Sequence, residues 1–220
     1  MKILSINISL PKKITFNKKI LNTSIFKKPV NEKVNIKKAG IEGDKQADLK
    51  SHGGVNKVVY AYSYKHYKYW GELLKKDFSN DYGLIGENLT IDDFDEKEFF
   101  IGDELQISDV ILKITQPRIP CYKLGIKMNE KDFVNFFINY GHLGMYMKVI
   151  KSGFIEKGDN IKLIRRNKDT MTIYEISKLI FDKNDNVEKM KKALQIDCLS
   201  EEIKTRFNTR LVKLGHYETL

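Results

Sequence analysis

Over roughly the first 165 residues the apolar positions recur at every second place in short runs, the pattern of strands that bury one face. The runs are Leu4 to Leu10, Lys33 to Lys37, Val58 to Tyr62, Glu87 to Ile91, Glu104 to Ser108, Val110 to Thr115, Met145 to Ile150 and Asn160 to Ile164. Two of them open alike, Gly102-Asp103-Glu104-Leu105-Gln106-Ile107 and Gly158-Asp159-Asn160-Ile161-Lys162-Leu163, each a Gly-Asp turn feeding an alternating run. That repetition suggests a barrel. Helical spacing is confined here to Lys65 to Leu74, with Tyr67, Trp70, Leu73 and Leu74 on one side, and to Glu130 to Tyr140, with Phe133, Phe136, Phe137 and Tyr140. Both aromatic stripes read as core.

After Arg165-Arg166-Asn167-Lys168 the period lengthens to about 3.6, and three short helices are predicted. Thr172 with Glu175 forms a capping box before Ile173, Ile176, Leu179 and Ile180, and Asp185 with Glu188 repeats the spacing before Val187, Met190 and Leu194. The third starts at Ser200, carries Glu201 and Glu202 in its first turn and Arg210 and Lys213 in its last, and buries Ile203, Phe207 and Leu211. The expected fold is mainly β within the α+β class: a barrel domain over residues 1–167 and a small three-helix unit over 168–220. With its own caps and apolar faces, that unit is expected to be removable.

A chain of 220 residues supplies one good core plus a small appendage. No window approaches the ~18 uninterrupted apolar residues of a membrane span, and the alternating start, Met1 to Ile8, lacks a signal peptide's apolar core. A cytoplasmic protein, monomeric or homodimeric, is expected. Its two cysteines, Cys121 and Cys198, are too few for a disulfide scaffold. The net charge of +10 invites a nucleic-acid reading, but residues 1–38 hold ten lysines against Glu32 alone, so nearly all the excess lies there. Most of these lysines read as solvated hairpin faces guarding strand edges, with some left to steer an anion. The helical tail carries ten basic and eight acidic residues between Lys168 and Lys213, so nucleic acid is not the expected partner.

Three polar constellations break the strand pattern. The first runs from Gly40-Ile41-Glu42-Gly43-Asp44-Lys45-Gln46-Ala47-Asp48 to His52-Gly53-Gly54-Val55-Asn56-Lys57. Its paired glycines let backbone amides approach an anion, and His52 and Lys57 add donors; two plain tight turns explain it equally well. In the second, Gly86-Glu87-Asn88-Leu89, a carboxylate and an amide could orient a polar heterocycle. The third, Gln116-Pro117-Arg118-Ile119-Pro120-Cys121-Tyr122-Lys123-Leu124, holds Cys121 on a stiff turn between Arg118 and Lys123. Cationic neighbours favour the thiolate, which attacks electrophiles or binds soft metals, so a cysteine hydrolase using His52 and a metal or cofactor ligand are both open. Cys198, without a basic neighbour in sequence, reads as a small buried hydrophobe. Zinc is not expected: no second Cys or His lies at ligand spacing from Cys121, and His52, His66, His142 and His216 are scattered.

These constellations, together with the His66-Tyr67-Lys68-Tyr69-Trp70 helix, occur in the order found in the MOSC-domain proteins, which the chain resembles, and within them in the 6-N-hydroxylaminopurine resistance group, the YiiM type. The resemblance covers residues 1 to about 165, and the helical tail looks like the three-helix unit that follows the domain in this group. It implies a barrel-like domain binding the molybdenum cofactor, a molybdopterin with dithiolene and phosphate. It also implies Cys121 as molybdenum ligand and catalytic residue, with Asp44, His52, Gly53, Gly54, Lys57, Asn88, Gln116, Arg118 and Lys123 around the cofactor; pyridoxal phosphate is not expected. The implied activity is reduction of N-hydroxylated bases and amidoximes in detoxification. With no flavin or iron–sulfur motif in the chain, the electrons would come from a separate reductase. Asn88 and Tyr122 are candidates for orienting substrate. A MOSC sulfur carrier working through a Cys121 persulfide is the alternative. The chain departs from the family pattern at Val55, Ser63 and Met145, which bears on the substrate pocket more than on the cofactor.

Overall fold

The computed structural model describes residues 1–48 and 53–216. The chain opens with β1 (Ile3–Ile8), a hairpin of β2 (Lys12–Phe16) and β3 (Lys19–Thr23), and the short strands β4 (Lys28–Val30), β5 (Val34–Lys37) and β6 (Gly40–Ile41). Then follow β7 (Val59–Ser63), α1 (Lys65–Leu74), β8 (Leu89–Ile91), β9 (Glu104–Ile107), β10 (Val110–Pro117), α2 (Tyr122–Met128) and α3 (Phe133–Tyr140). The last strands are β11 (Met145–Lys151), β12 (Gly153–Ile155) and β13 (Ile161–Arg165), and α4 (Ile173–Phe181), α5 (Val187–Leu194) and α6 (Glu201–Lys213) end the chain. Every run read from the alternation contains a strand, so the fold is a mixed α+β one dominated by sheet.

The main sheet has the order β13-β9-β10-β11-β7-β8-β1-β4, antiparallel except for the β7 and β8 pair. Its interior face follows from the alternation: Leu105, Leu112 and Val149 stand side by side across β9, β10 and β11, all buried. The sheet curls until its ends meet at one bridge, Lys2 with Asn160, flanked by the bonds Ile3 N–H to Asp159 O (3.0 Å) and Ile161 N–H to Met1 O (2.8 Å). Among the described residues no ladder completes the circle, so the expected barrel is an open, curled sheet. The repeated Gly-Asp openings belong to β9 and β13, which pair with each other as neighbours at one end of the sheet and so say nothing about closure.

Two apolar clusters fill the molecule. A mainly aromatic one, with Tyr60, Tyr62, Trp70, Phe133 and Phe137, lies under α1 and α3, where the Trp70 indole N–H donates to Tyr62 Oη at 2.8 Å. The larger cluster runs without interruption from Leu105, Leu112 and Ile114 of the sheet to Ile176, Leu179, Met190, Ile203 and Phe207 of the helices. The tail is also joined through the backbone, Ile101 N–H to Met171 O at 3.0 Å and Ile173 N–H to Phe99 O at 2.9 Å. The change at 167/168 therefore marks a change of element type without separating two cores. A fragment ending at Asn167 would bare this face of the sheet, and we expect it to aggregate where the full chain melts cooperatively. A monodisperse fragment with a cooperative thermal melt would show that the sheet needs no cover.

The caps explain where the helices begin. Thr172 Oγ1 accepts from Glu175 N–H at 3.1 Å and Glu175 Oε2 accepts from Thr172 N–H at 2.9 Å, the reciprocal pair expected of a capping box. The next cap is Asn186, which accepts from Lys189 N–H at 2.9 Å, and Asp185, expected there, instead accepts from Arg210 Nε at 2.7 Å, tying α6 back to the turn before α5. No helix among the described residues is long and apolar enough to cross a membrane.

Candidate functional site

Strand β10 is irregular where it approaches the site. The β10 and β11 register slips between Ile114 and Gln116, a bulge that bends the strand, and Thr115 Oγ1 donates to Asn56 O at 2.6 Å. Pro117 ends the ladder. Pro120 has no N–H to pair, and the chain leaves Cys121 extended (φ −127°, ψ 170°) as the residue capping α2. Cys121 is half-buried at the wall of a cleft of about 730 Å³.

Asp44, Lys57, Asn88, Arg118, Cys121 and Lys123, distant in sequence, all line this cleft. Arg118 is buried, donates to Ile85 O, and lays its guanidinium over the Tyr60 ring at 4.9 Å. Burial opposes its charge, but the Tyr60 and Tyr146 hydroxyls and the Cys121 sulfur facing it outweigh that and hold it firmly protonated. Lys57 Nζ pairs with Glu202 Oε2 of α6 at 2.5 Å, so the helical unit reaches the cleft rim. Lys123 Nζ donates to Asn22 O at 3.0 Å and holds α2 against the β2–β3 hairpin.

Sequence reasoning missed Lys27. It is one of the ten N-terminal lysines read mostly as solvated faces with some left to steer an anion, and its ammonium lies in the cleft wall, paired with Asp44, the two side chains only 9% and 8% exposed. Burial lowers its pKa, Asp44 raises it, and nearby Arg118 lowers it again. Asp44 also accepts from Ser9 N–H at 2.7 Å and from Asn88 Nδ2 at 3.0 Å. Asn88 in turn accepts from Tyr60 N–H at 3.1 Å and donates to Asn7 O at 3.2 Å, so its amide is spent on positioning Asp44. Gly86 is obligatory: at φ +88° a Cβ would stand 2.7 Å from Ile25 Cγ1 and 3.0 Å from Ile25 O, in the segment that forms the opposite wall.

Other expected site residues fall elsewhere. His52 lies outside the described residues. Gly53 and Gly54 are off the cleft wall, with Gly54 N–H bound to Gln46 Oε1 at 3.1 Å while Gln46 Nε2 donates to Lys57 O at 2.8 Å, which shapes the loop carrying Lys57. Gln116 is buried away from the cleft wall, its Oε1 without a partner. Glu87 faces inward and accepts from Tyr67 Oη, Gly83 N–H, Ile85 N–H and Thr90 Oγ1, a fully satisfied structural carboxylate and not a ligand holder. Tyr122 is 54% exposed and does not line the cleft. Burial raises the Cys198 thiol pKa, and its sulfur packs against the core, as expected of an inert cysteine.

The cleft thus joins a thiol to Lys27, Lys45, Lys57, Arg118 and Lys123, opposed in charge among the described residues by Asp44 and Asp48 of the lining and by Glu202, which pairs with Lys57 at the rim. Ser24 Oγ is buried in the same wall without a protein partner. This donor set fits an anionic ligand that brings both a phosphate and a soft metal.

The family model described as "MOSC domain" matches residues 48–162. The chain is 31% identical over 205 residues to the uncharacterized protein YflK of Bacillus subtilis, covering 93% of this chain and 92% of that one. It is 29% identical over 178 residues to a protein of Gibberella moniliformis named "Reductase", covering 80% of this chain but 32% of that one. The crystal structure of YiiM from Geobacillus stearothermophilus superposes with a TM-score of 0.80 at 29% identity, covering 96% of this chain and 98% of that one.

Proposed function

From the premise that the chain belongs to the MOSC-domain family and to its YiiM type, we propose that it is a reductase of N-hydroxylated small molecules that binds the molybdenum cofactor. The observation that carries this reading is the placing of the Cys121 thiol beside buried Arg118 in a cleft with an excess of positive charge. A soft sulfur donor beside fixed cations suits a metal–pterin anion and is wasted on a purely structural turn.

Cys121 would hold the metal. Arg118, Lys57 and Lys123, with the Ser24 hydroxyl, would hold the anionic pterin and phosphate. Lys27 and Asp44, bound to each other and to Asn88, fix the opposite wall so that little reorganisation is needed on binding. Tyr60 and Tyr146, their ring centroids 4.9 Å apart, line the cleft beside Arg118 and help to hold its guanidinium in place. When bound, such a cofactor supplies two electrons and an oxygen acceptor, so that an N–OH group with two protons yields N–H and water.

The sequence carries no flavin or iron–sulfur motif, and the likeness to about a third of a larger protein named "Reductase" supports electrons arriving from a separate protein or module. Protein purified from a host that makes the cofactor is expected to convert an amidoxime or hydroxylaminopurine to the amidine or aminopurine in an anaerobic single turnover, in proportion to bound molybdenum. A molybdenum-replete sample that gives no reduced product but carries a persulfide on Cys121 would end this reading in favour of sulfur transfer.

A further inference from the structure

Two of the scattered histidines meet in the fold. His66 at the start of α1 and His142 after α3 are 76 positions apart in the chain, yet their rings stack at 4.5 Å between centroids. Between them reaches the carboxylate of Glu96, from the loop after β8, which is fully buried. Glu96 Oε2 lies 2.6 Å from His142 Nδ1 and 3.8 Å from His66 Nε2, and the three potential donor atoms all fall within 4.8 Å of one another.

Three features of this cluster are those of a metal site and not of an ordinary hydrogen-bonded triad. First, His66 is 3% exposed and its Nε2 has no hydrogen-bond partner, since 3.8 Å to Glu96 is too long for one. Second, the opposite nitrogen is already held: His66 Nδ1 is 2.8 Å from Tyr140 Oη, which orients the ring with Nε2 toward Glu96, and in the Nδ1–H tautomer, with Tyr140 accepting, Nε2 is the ligand atom. Third, Glu96 Oε1 accepts from Gly144 N–H at 3.1 Å, so the carboxylate too is oriented from behind.

The geometry points to a mononuclear site for a divalent transition cation of the zinc type, bound by His66 Nε2, Glu96 and His142 Nδ1. Bonds of about 2.0–2.1 Å in a tetrahedron place ligand atoms about 3.3 Å apart; Glu96 Oε2 stands 2.6 and 3.8 Å from the two rings and all three atoms lie within 4.8 Å of one another, so side-chain rotation would have to bring them to that spacing. Two imidazoles exclude a calcium or magnesium preference. Iron in a two-His, one-carboxylate face needs several open positions, whereas this cluster is enclosed: His66 and Glu96 are buried and the His142 side chain is 18% exposed. The cation would join α1, the loop after β8 and the α3–β11 link, next to Tyr174 of α4, at a place distinct from the Cys121 cleft.

The test uses the full-length protein, stripped with a chelator and given Zn(II), then Co(II). We expect one Zn(II) retained per chain after gel filtration, a melting temperature raised by several degrees, and the visible absorption of four-coordinate Co(II). His142→Ala and Glu96→Gln should each weaken Zn(II) binding by more than the ~10–100-fold cost of losing an outer-shell partner. Cys121→Ser and His216→Ala should bind as the wild type does. Should His142→Ala fail to fold, the milder Glu96→Gln and the wild-type Co(II) spectrum decide. No retained zinc in the wild type, zinc retained at full affinity by Glu96→Gln, or zinc lost in Cys121→Ser would each overturn the site.

Discussion

Cys121→Ser protein, loaded with molybdenum cofactor, is expected to reduce N-hydroxylated substrate at least ~100-fold more slowly than the wild type, because the loss of a direct metal ligand exceeds the ~10–100-fold typical of an outer-shell partner. The hydroxyl is a hard, protonated donor where a soft thiolate is wanted. The fold should not change: Cys121 is half-buried, and its side chain makes no capping hydrogen bond to α2, a position at which serine is a preferred residue. Far-UV circular dichroism and melting temperature should therefore match the wild type while single-turnover rates collapse. Cys198→Ser should keep the rate, because that sulfur packs against the core by Gly102. A loaded Cys121→Ser protein that works at the wild-type rate would remove Cys121 from the chemistry.

What the sequence revealed and what it hid have separate physical causes. Alternation reports burial on one face, so strands such as β10, with Val110, Leu112 and Ile114 turned inward, were legible. The strands of the β2–β3 hairpin, expected only as solvated lysine-bearing faces, could not be placed, because they bury little: Phe16 is 39% and Ile20 is 72% exposed. Helix α2 has seven residues, with Gly125 in the middle, too few for a 3.6-residue period to show. Cys121 stood out because prolines and cations adjoin it in sequence. Lys27 could not stand out, since its burial depends on Asp44, 17 residues on, and on a cleft built by distant strands. The same limit hid His66, Glu96 and His142. Local spacing finds ligands carried on one element, while these three come from a helix and two separate loops.

Asp44 offers the sharpest test of how the cleft is held together. It neutralises buried Lys27 while accepting from Ser9 N–H and Asn88 Nδ2, so Asp44→Ala leaves an ammonium without its counter-charge near Arg118 and two donors without an acceptor. Breaking a buried pair from one side costs about 3–5 kcal/mol, or roughly 10 °C of melting temperature in a chain of this size. Lys27→Met combined with Asp44→Asn should be more stable than Asp44→Asn alone, because it removes the stranded charge and keeps an acceptor. The single variant should also respond to pH in a definite direction. Burial already lowers the Lys27 pKa, and losing Asp44 removes the main influence that raises it. The unfolded chain then binds more protons than the native one between the lowered pKa and the free-lysine value of about 10.4, so stability should rise with pH across that window, as denaturant melts at about pH 7 and about pH 9.5 would show. An Asp44→Ala protein that loses less than about 1 kcal/mol, with no such rise, would mean that Lys27 finds water or another partner and that the pair does not hold the cleft wall.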